Sequence, residues 1–208
     1  MEIKTLQVLF VIQLVILGLQ SLIYFGVEIL EGKPHNVRRN IDRSIPFVPE
    51  WVFIYNLWFP LIAVFPLVLY AADASLYFKY QSAVFCDIVL SALCYVLYPT
   101  SFVRPRTPET VAGRVMKLVY KGSFRGLNCA PSMHCSLCYL ILALSLTCTG
   151  MAIWQRVILV AVALLIVCST LFTKQHVVVD AVTAIPVAAV SLLFGWHFPA
   201  GFLTPWIP

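Results

Sequence analysis

This sequence is short of charge. Only 11% of its 208 residues are Asp, Glu, Lys or Arg, and 61% are hydrophobic, whereas soluble domains run at about 25% charged and about 45–50% apolar. So few charges cannot cover a water-facing surface, and a mean hydropathy of +0.92 points to the bilayer as the main solvent. Disorder, collagen and coiled coil are excluded by the same composition. Internal repeats and low-complexity tracts are also lacking, so one integral membrane domain is expected over residues 1–208. A net charge of +5, unevenly spread, does not mark a nucleic-acid partner. Cysteine is odd in number at seven, and Cys86, Cys94, Cys138, Cys148 and Cys168 fall in apolar runs where a thiol packs as a small hydrophobe. No disulfide framework is implied. Cys129, Cys135 and Cys138 with His134 follow no standard zinc spacing and read as helix-packing thiols.

Long apolar runs are plentiful. A helix needs about 20 largely apolar residues to cross the hydrocarbon core, and six stretches approach that length: residues 6–25, 51–71, 83–97, 133–146, 157–172 and 177–196. The third and fourth borrow flanking residues. The first keeps full spanning length without a small-residue cleavage pattern, so it reads as a retained helix and not a signal peptide. Thirteen prolines and nine glycines predict interrupted helices, since neighbouring helices can satisfy the backbone groups that a proline frees. Trp51, Tyr55 and Trp58, and Trp196 and Trp206, read as headgroup-level anchors. The expected fold is an all-α polytopic membrane protein of six transmembrane helices. Both termini then share one side, and residues 26–50, 100–132 and 173–175 lie together on the other.

The connection 100–132 holds Arg104, Arg106, Arg114, Lys117, Lys121 and Arg125 against a single acid, Glu109. Within it Thr107, Pro108 and Glu109 read as a cap, a first-turn proline and an acid at the positive helix end. Val111, Val115, Leu118 and Val119 share a face, and Gly122 ends the helix. The loop therefore carries a short basic amphipathic helix, suited equally to solvent or to anionic headgroups.

Residues able to do chemistry collect at the edges of the apolar runs on this same side. His176 and Asp180 are four apart at the start of the last helix and so share a face. The carboxylate can accept the Nδ1 proton and leave Nε2 outward as nucleophile or base. Pro131-Ser132 opens the fourth helix, where Ser132 can cap and the free amides favour an anion. His134 follows in the first turn. With Arg104 and Lys174 nearby, these groups could bind a phosphate, attack it on one side and protonate it on the other.

Arg104-Pro105, Pro131-Ser132-Met133-His134, and Ser169 with His176 and Asp180 resemble, in order and in the spacing of the third motif, the type 2 phosphatidic acid phosphatase superfamily. That superfamily also holds inositol phosphorylceramide synthases and related lipid phosphotransferases. The resemblance covers most of the chain. Three positions depart from it: Leu97 stands where the family has lysine, Thr170 where it has arginine and Met133 where it has glycine. Lys174 could replace one lost cation, and Arg106 or Arg125 the other. Cys-x-Pro-Ser-x-His-Cys and Thr-Lys-Gln-His are closer to the inositol-phosphotransferase-like branch.

The resemblance implies a membrane enzyme acting on a phosphorylated lipid without metal or cofactor. His176 would attack phosphorus, Asp180 hold its ring and His134 protonate the leaving alcohol. Arg104, Lys174, Ser132 and Ser169 would stabilise the phosphate oxygens. A phosphatase acting on a lipid monophosphate or prenyl diphosphate is the first expectation. A lipid phosphotransferase moving a group such as phosphoinositol to a lipid or sugar hydroxyl is the second. A transporter is a remote third, because it would scatter intramembrane charges where only Asp87 and Asp180 lie deep. Asp87 is expected to face the bundle interior, and His35 and His197 to be ordinary interfacial side chains. The polar run from Arg38 to Arg43 could close over the site. Eleven of the fourteen cations fall on the active-site side, with Lys4, Lys79 and Arg156 opposite. Charge bias alone would make that side cytoplasmic. The family resemblance places it on the extracytoplasmic or luminal face, which is the expectation adopted.

Overall fold

The computed structural model describes residues 2–30, 32–122 and 126–207, which are folded into nine α-helices with two short 3-10 turns and one two-residue strand pair. The chain starts with α1 (Ile3–Val27) and passes through β1 (His35–Asn36) and α2 (Ile41–Ser44). A 3-10 turn, Pro49–Trp51, leads into α3 (Val52–Tyr55) and α4 (Trp58–Ala72). Then come α5 (Ala74–Leu97), β2 (Thr100–Ser101), α6 (Val111–Gly122), α7 (Met133–Thr147), α8 (Ile153–Phe172) and α9 (Val178–His197), with a last 3-10 turn at Gly201–Trp206. The strands pair in parallel, His35 opposite Thr100.

Five segments are long and apolar enough to cross a membrane: α1, Pro49–Ala72, α5, α8 and α9. The sixth apolar helix, α7, has 15 residues. Many large apolar side chains point outward, among them Val11, Leu14 and Val15 on α1, Val157 and Ile158 on α8, and Val182 and Ile185 on α9. Such faces are suited to lipid.

Prolines and polar residues explain where the helices depart from the sequence expectation. The second span is broken at Asn56 and Leu57 because Pro60 has no amide to offer the Asn56 carbonyl and its ring crowds that group. Pro66 likewise frees the Ile62 carbonyl, and Gln13 of α1 donates its Nε2 to that oxygen at 3.0 Å. Helix α5 begins at Ala74, nine residues before the expected start at residue 83. Asp73 caps it by accepting the Leu76 amide at 3.0 Å. Its polar first half is provided for: the Lys79 ammonium lies 3.8 Å over the Trp196 ring, and Gln81 Nε2 donates to Gln13 Oε1 at 3.3 Å.

The core runs through Phe65, Leu69, Tyr77, Tyr80, Leu140, Ile141, Leu144 and Ile166, all fully buried. α5 and α9 cross closely at Gly195, where a Cβ would stand 2.2 Å from the Lys79 carbonyl oxygen. Asp87, wholly buried on α5, accepts the Ser136 hydroxyl of α7 at 2.8 Å, so this acid faces the bundle interior.

Helix α6 is amphipathic, but its start and its buried face differ from the expectation. It begins at Val111 with Thr110 as cap, whose hydroxyl accepts the Gly113 amide at 3.1 Å. Thr107, Pro108 and Glu109 precede it, and the Pro108 carbonyl packs so close on Gly113 that a Cβ there would be 1.9 Å away. Ala112, Gly113 and Met116 are buried, with Ala112 and Met116 packed beside Val52 of α3, while Val111 and Leu118 are 63% and 67% exposed. That docking turns the helix and leaves Arg114, Lys117 and Lys121 outward.

Candidate active site

His176 sits in the turn between α8 and α9, with its ring held by two acceptors. Nδ1 lies 3.2 Å from Asp180 Oδ2 and 3.1 Å from the Cys129 carbonyl oxygen. Neither acceptor carries a hydrogen to give, so Nδ1 is the protonated nitrogen and the neutral ring keeps a lone pair on Nε2. Asp180 is wholly buried, and its Oδ2 also accepts the Val177 amide at 2.9 Å, which closes the first turn of α9.

The start of α7 is fastened to the same turn. Ser132 accepts the Cys135 amide at 3.3 Å as N-cap and donates its own amide to the Asp180 carbonyl at 3.0 Å. This lock brings His134, in the first turn of α7, to 5.7 Å from His176 between ring centres. His134 Nε2 is 2.8 Å from the Tyr55 hydroxyl, and its ring packs against both Tyr55 and Trp58, at 4.8 and 4.2 Å between centres. The Pro60 break creates this shelf, because it separates α3, which carries Tyr55, from α4, which starts at Trp58.

Both histidines line a cavity of about 250 Å3, together with Arg104, Asn128 and Gln175 and an aromatic wall of Tyr24, Tyr55, Trp58 and Phe59. Arg104 reaches it from the segment after β2, its guanidinium 5.1 Å over the Tyr120 ring of α6. The Tyr120 hydroxyl donates to the Thr173 carbonyl at 2.8 Å, tying α6 to the turn before His176. Burial raises the Tyr120 phenol pKa, with Arg104 opposing. The floor segment is pinned as well: Ala130 donates its amide to Thr100 Oγ1 at 2.8 Å, and the Tyr95 hydroxyl donates to the Pro131 carbonyl at 2.7 Å.

Of the residues singled out in the sequence, His134, His176 and Arg104 line the cavity, and Asp180 stands behind His176. Ser132 serves as the α7 cap. Ser169 is buried in α8 with its hydroxyl donated to the Ile166 carbonyl at 2.6 Å, away from the cavity wall. Lys174 does not line the cavity either: its Nζ donates to the carbonyls of Asp42 at 2.9 Å and Ile45 at 2.6 Å. Burial lowers the Lys174 pKa from its ordinary value, with Asp42 opposing and Arg38 assisting. Arg106 is absent from the wall, and Arg125 lies outside the described residues. The run from Arg38 to Arg43 reaches the site from behind, since Asp42 Oδ1 accepts the Val178 amide at 2.9 Å. His35 is stacked on Tyr98 at 4.3 Å, away from the cavity wall.

Sequence reasoning missed Tyr55, Trp58, Asn128 and Gln175 as residues of the cavity wall. Tyr55 and Trp58 read as membrane anchors, and nothing in the sequence pairs them with His134. Cys135 faces Thr170 Oγ1 at 3.7 Å, and none of the seven cysteines is disulfide-bonded. Among the described residues no group of three or more His, Cys, Asp or Glu is gathered about a point.

The arrangement offers one imidazole held by two acceptors on Nδ1, a second imidazole 5.7 Å from it between ring centres, and a guanidinium on the same cavity. No family model, curated protein or solved structure matches the chain.

Proposed function

We propose that the chain is a membrane-embedded, metal-independent enzyme that breaks a phosphate ester bond of a lipid through a phosphohistidine at His176. The observation that carries this reading is the double acceptor on His176 Nδ1, which leaves the Nε2 lone pair free on a ring beside His134 in a cavity shared with Arg104. The motif resemblance to the type 2 phosphatidic acid phosphatase superfamily supports it.

In the first step Nε2 of His176 forms a bond to phosphorus as the bond to the leaving alcohol breaks, and His134 gives that oxygen its proton. Asp180 offsets the positive charge that develops on the His176 ring, and the Arg104 guanidinium offsets the negative charge on the phosphoryl oxygens. In the second step His134 takes the proton of the attacking hydroxyl, and His176 is released. Near-attack and hydrogen-bond distances put two rings bracketing a phosphoryl group on the order of 8 Å apart between centres. The resting separation is 5.7 Å. Substrate entry therefore turns the His134 side chain away from Tyr55.

Hydrolysis of a lipid monophosphate or prenyl diphosphate is the principal activity proposed, with transfer to a lipid or sugar hydroxyl as the second. The same reading makes α7 the sixth crossing. Its 15 residues span about 22 Å, short of a hydrocarbon core of about 30 Å, but Leu137, Leu140, Ile141 and Leu144 are enclosed by protein and need not match the lipid. The site is proposed to open on the extracytoplasmic or luminal face. A reporter active in one compartment only, fused to the C-terminus, tests this orientation; activity of the reporter on the extracytoplasmic or luminal side overturns it.

The deciding experiment incubates purified protein in detergent with phosphate-labelled lipids, with and without inositol. Free phosphate supports the hydrolase and a new phosphoinositol product the transferase. Equal activity in wild type and His176→Ala ends the mechanism.

A further inference from the structure

Two buried amide side chains of the cavity-lining residues each carry a polar atom without a hydrogen-bond partner among the described residues. Asn128 is 2% exposed and Gln175 is 3% exposed. Asn128 Oδ1 and Gln175 Nε2 are each shut off from solvent without a hydrogen bond among the described residues. Leaving such atoms unpaired is costly, so each calls for a ligand atom or an ordered water.

Their orientation is informative. Asn128 Nδ2 donates to the Tyr24 carbonyl at 3.1 Å, which fixes the amide and turns Oδ1 to the remaining side as an acceptor. Its backbone is left-handed at φ 59°, a conformation asparagine tolerates. Gln175 is the residue before His176, so its side chain is carried by the same turn as the nucleophile.

One acceptor and one donor, carried by two residues of the same cavity wall, are complementary to a group that both donates and accepts, which is a hydroxyl. A phosphoryl oxygen is an acceptor only and is repelled by Asn128 Oδ1; it belongs by Arg104. We infer that Asn128 and Gln175 form the subsite for the hydroxyl that attacks the phosphohistidine, whether that O–H belongs to water or to an alcohol. The inference rests on the phosphohistidine reading above. In this step the hydroxyl oxygen bonds to phosphorus, the phosphorus bond to His176 Nε2 breaks, the proton passes to His134, and His176 regains its lone pair with Nδ1 still protonated.

The test is rapid-quench kinetics on the full chain in detergent, with a lipid monophosphate labelled in its phosphate and with or without added inositol. Gln175→Leu removes the donor, and Asn128→Gly removes the acceptor while keeping the positive φ. Both variants are expected to form labelled protein at the wild-type rate and to discharge it about tenfold more slowly. Label passing to inositol in the wild type identifies an alcohol as occupant, and label passing to free phosphate alone identifies water. Discharge at the wild-type rate in both variants, or equal loss of formation and discharge, overturns the subsite. Absence of labelled protein in wild type, with activity surviving His176→Ala, instead overturns the phosphohistidine reading.

Discussion

Asp42 and Val178, separated by 136 residues of chain, are joined by a 2.9 Å hydrogen bond from the Val178 amide to the Asp42 carboxylate. A side chain of the first connection thus caps the helix that carries Asp180, and the Asp42 carbonyl also holds Lys174. Asp42→Ala should cost about 1 kcal/mol of stability, the usual size of a lost cap. The thermal midpoint in detergent should fall by a few degrees, and turnover should fall with it as the His176 turn loosens. An unchanged midpoint would show that the cap contributes nothing.

His176→Ala should abolish turnover while the protein remains folded and extractable, because the proposed mechanism asks this residue for a covalent step and not for packing. Asp180→Asn should lower turnover by about 10²- to 10⁴-fold, the scale seen when the orienting carboxylate of a triad is lost. Circular dichroism beside the rate measurement separates loss of chemistry from loss of fold.

Lys174 and Arg104 should behave as opposites. Lys174→Met should leave KM nearly unchanged but reduce stability, since the ammonium joins two carbonyls of the first connection. Arg104→Gln should lower kcat/KM by about tenfold to a hundredfold, the value of a hydrogen bond to a charged group. The pH dependence follows from burial of Lys174, which lowers its pKa from 10.5. The unfolded chain binds that proton more tightly, so the contribution of this group to stability rises with pH from the lowered value up to 10.5. Denaturant titrations across that alkaline window should show the rise in wild type and its loss in Lys174→Met.

Tyr55→Phe should lower KM for the lipid several-fold without reducing kcat by more than about twofold. The bond it removes holds His134 in the resting position, and breaking it costs about 1 kcal/mol. A large fall in kcat would instead give the phenol a part in the chemistry.

The apolar stretches were legible in the sequence because lipid demands them, and the observed helices overlap all six. Their ends were less legible. Nothing in the polar stretch around Lys79 and Gln81 announces that Trp196 and Gln13 will receive those side chains, so α5 was expected to start too late. The pairing of His176 with Asp180 was readable from helical spacing alone. The placement of Lys174 was not, since its acceptors at Asp42 and Ile45 lie more than a hundred residues away in sequence. Asn128 and Gln175 could not be found from residue type, because what sets them apart is burial without a partner, a property of the folded wall.

The contact between Trp58 and His134 gives the site a built-in optical probe. An imidazole packed 4.2 Å from an indole, centre to centre, quenches its emission most strongly when protonated. In a chain whose four other tryptophans are replaced by phenylalanine, brightness would follow the tilt and charge of that single ring, allowing occupancy to be watched in real time without a label.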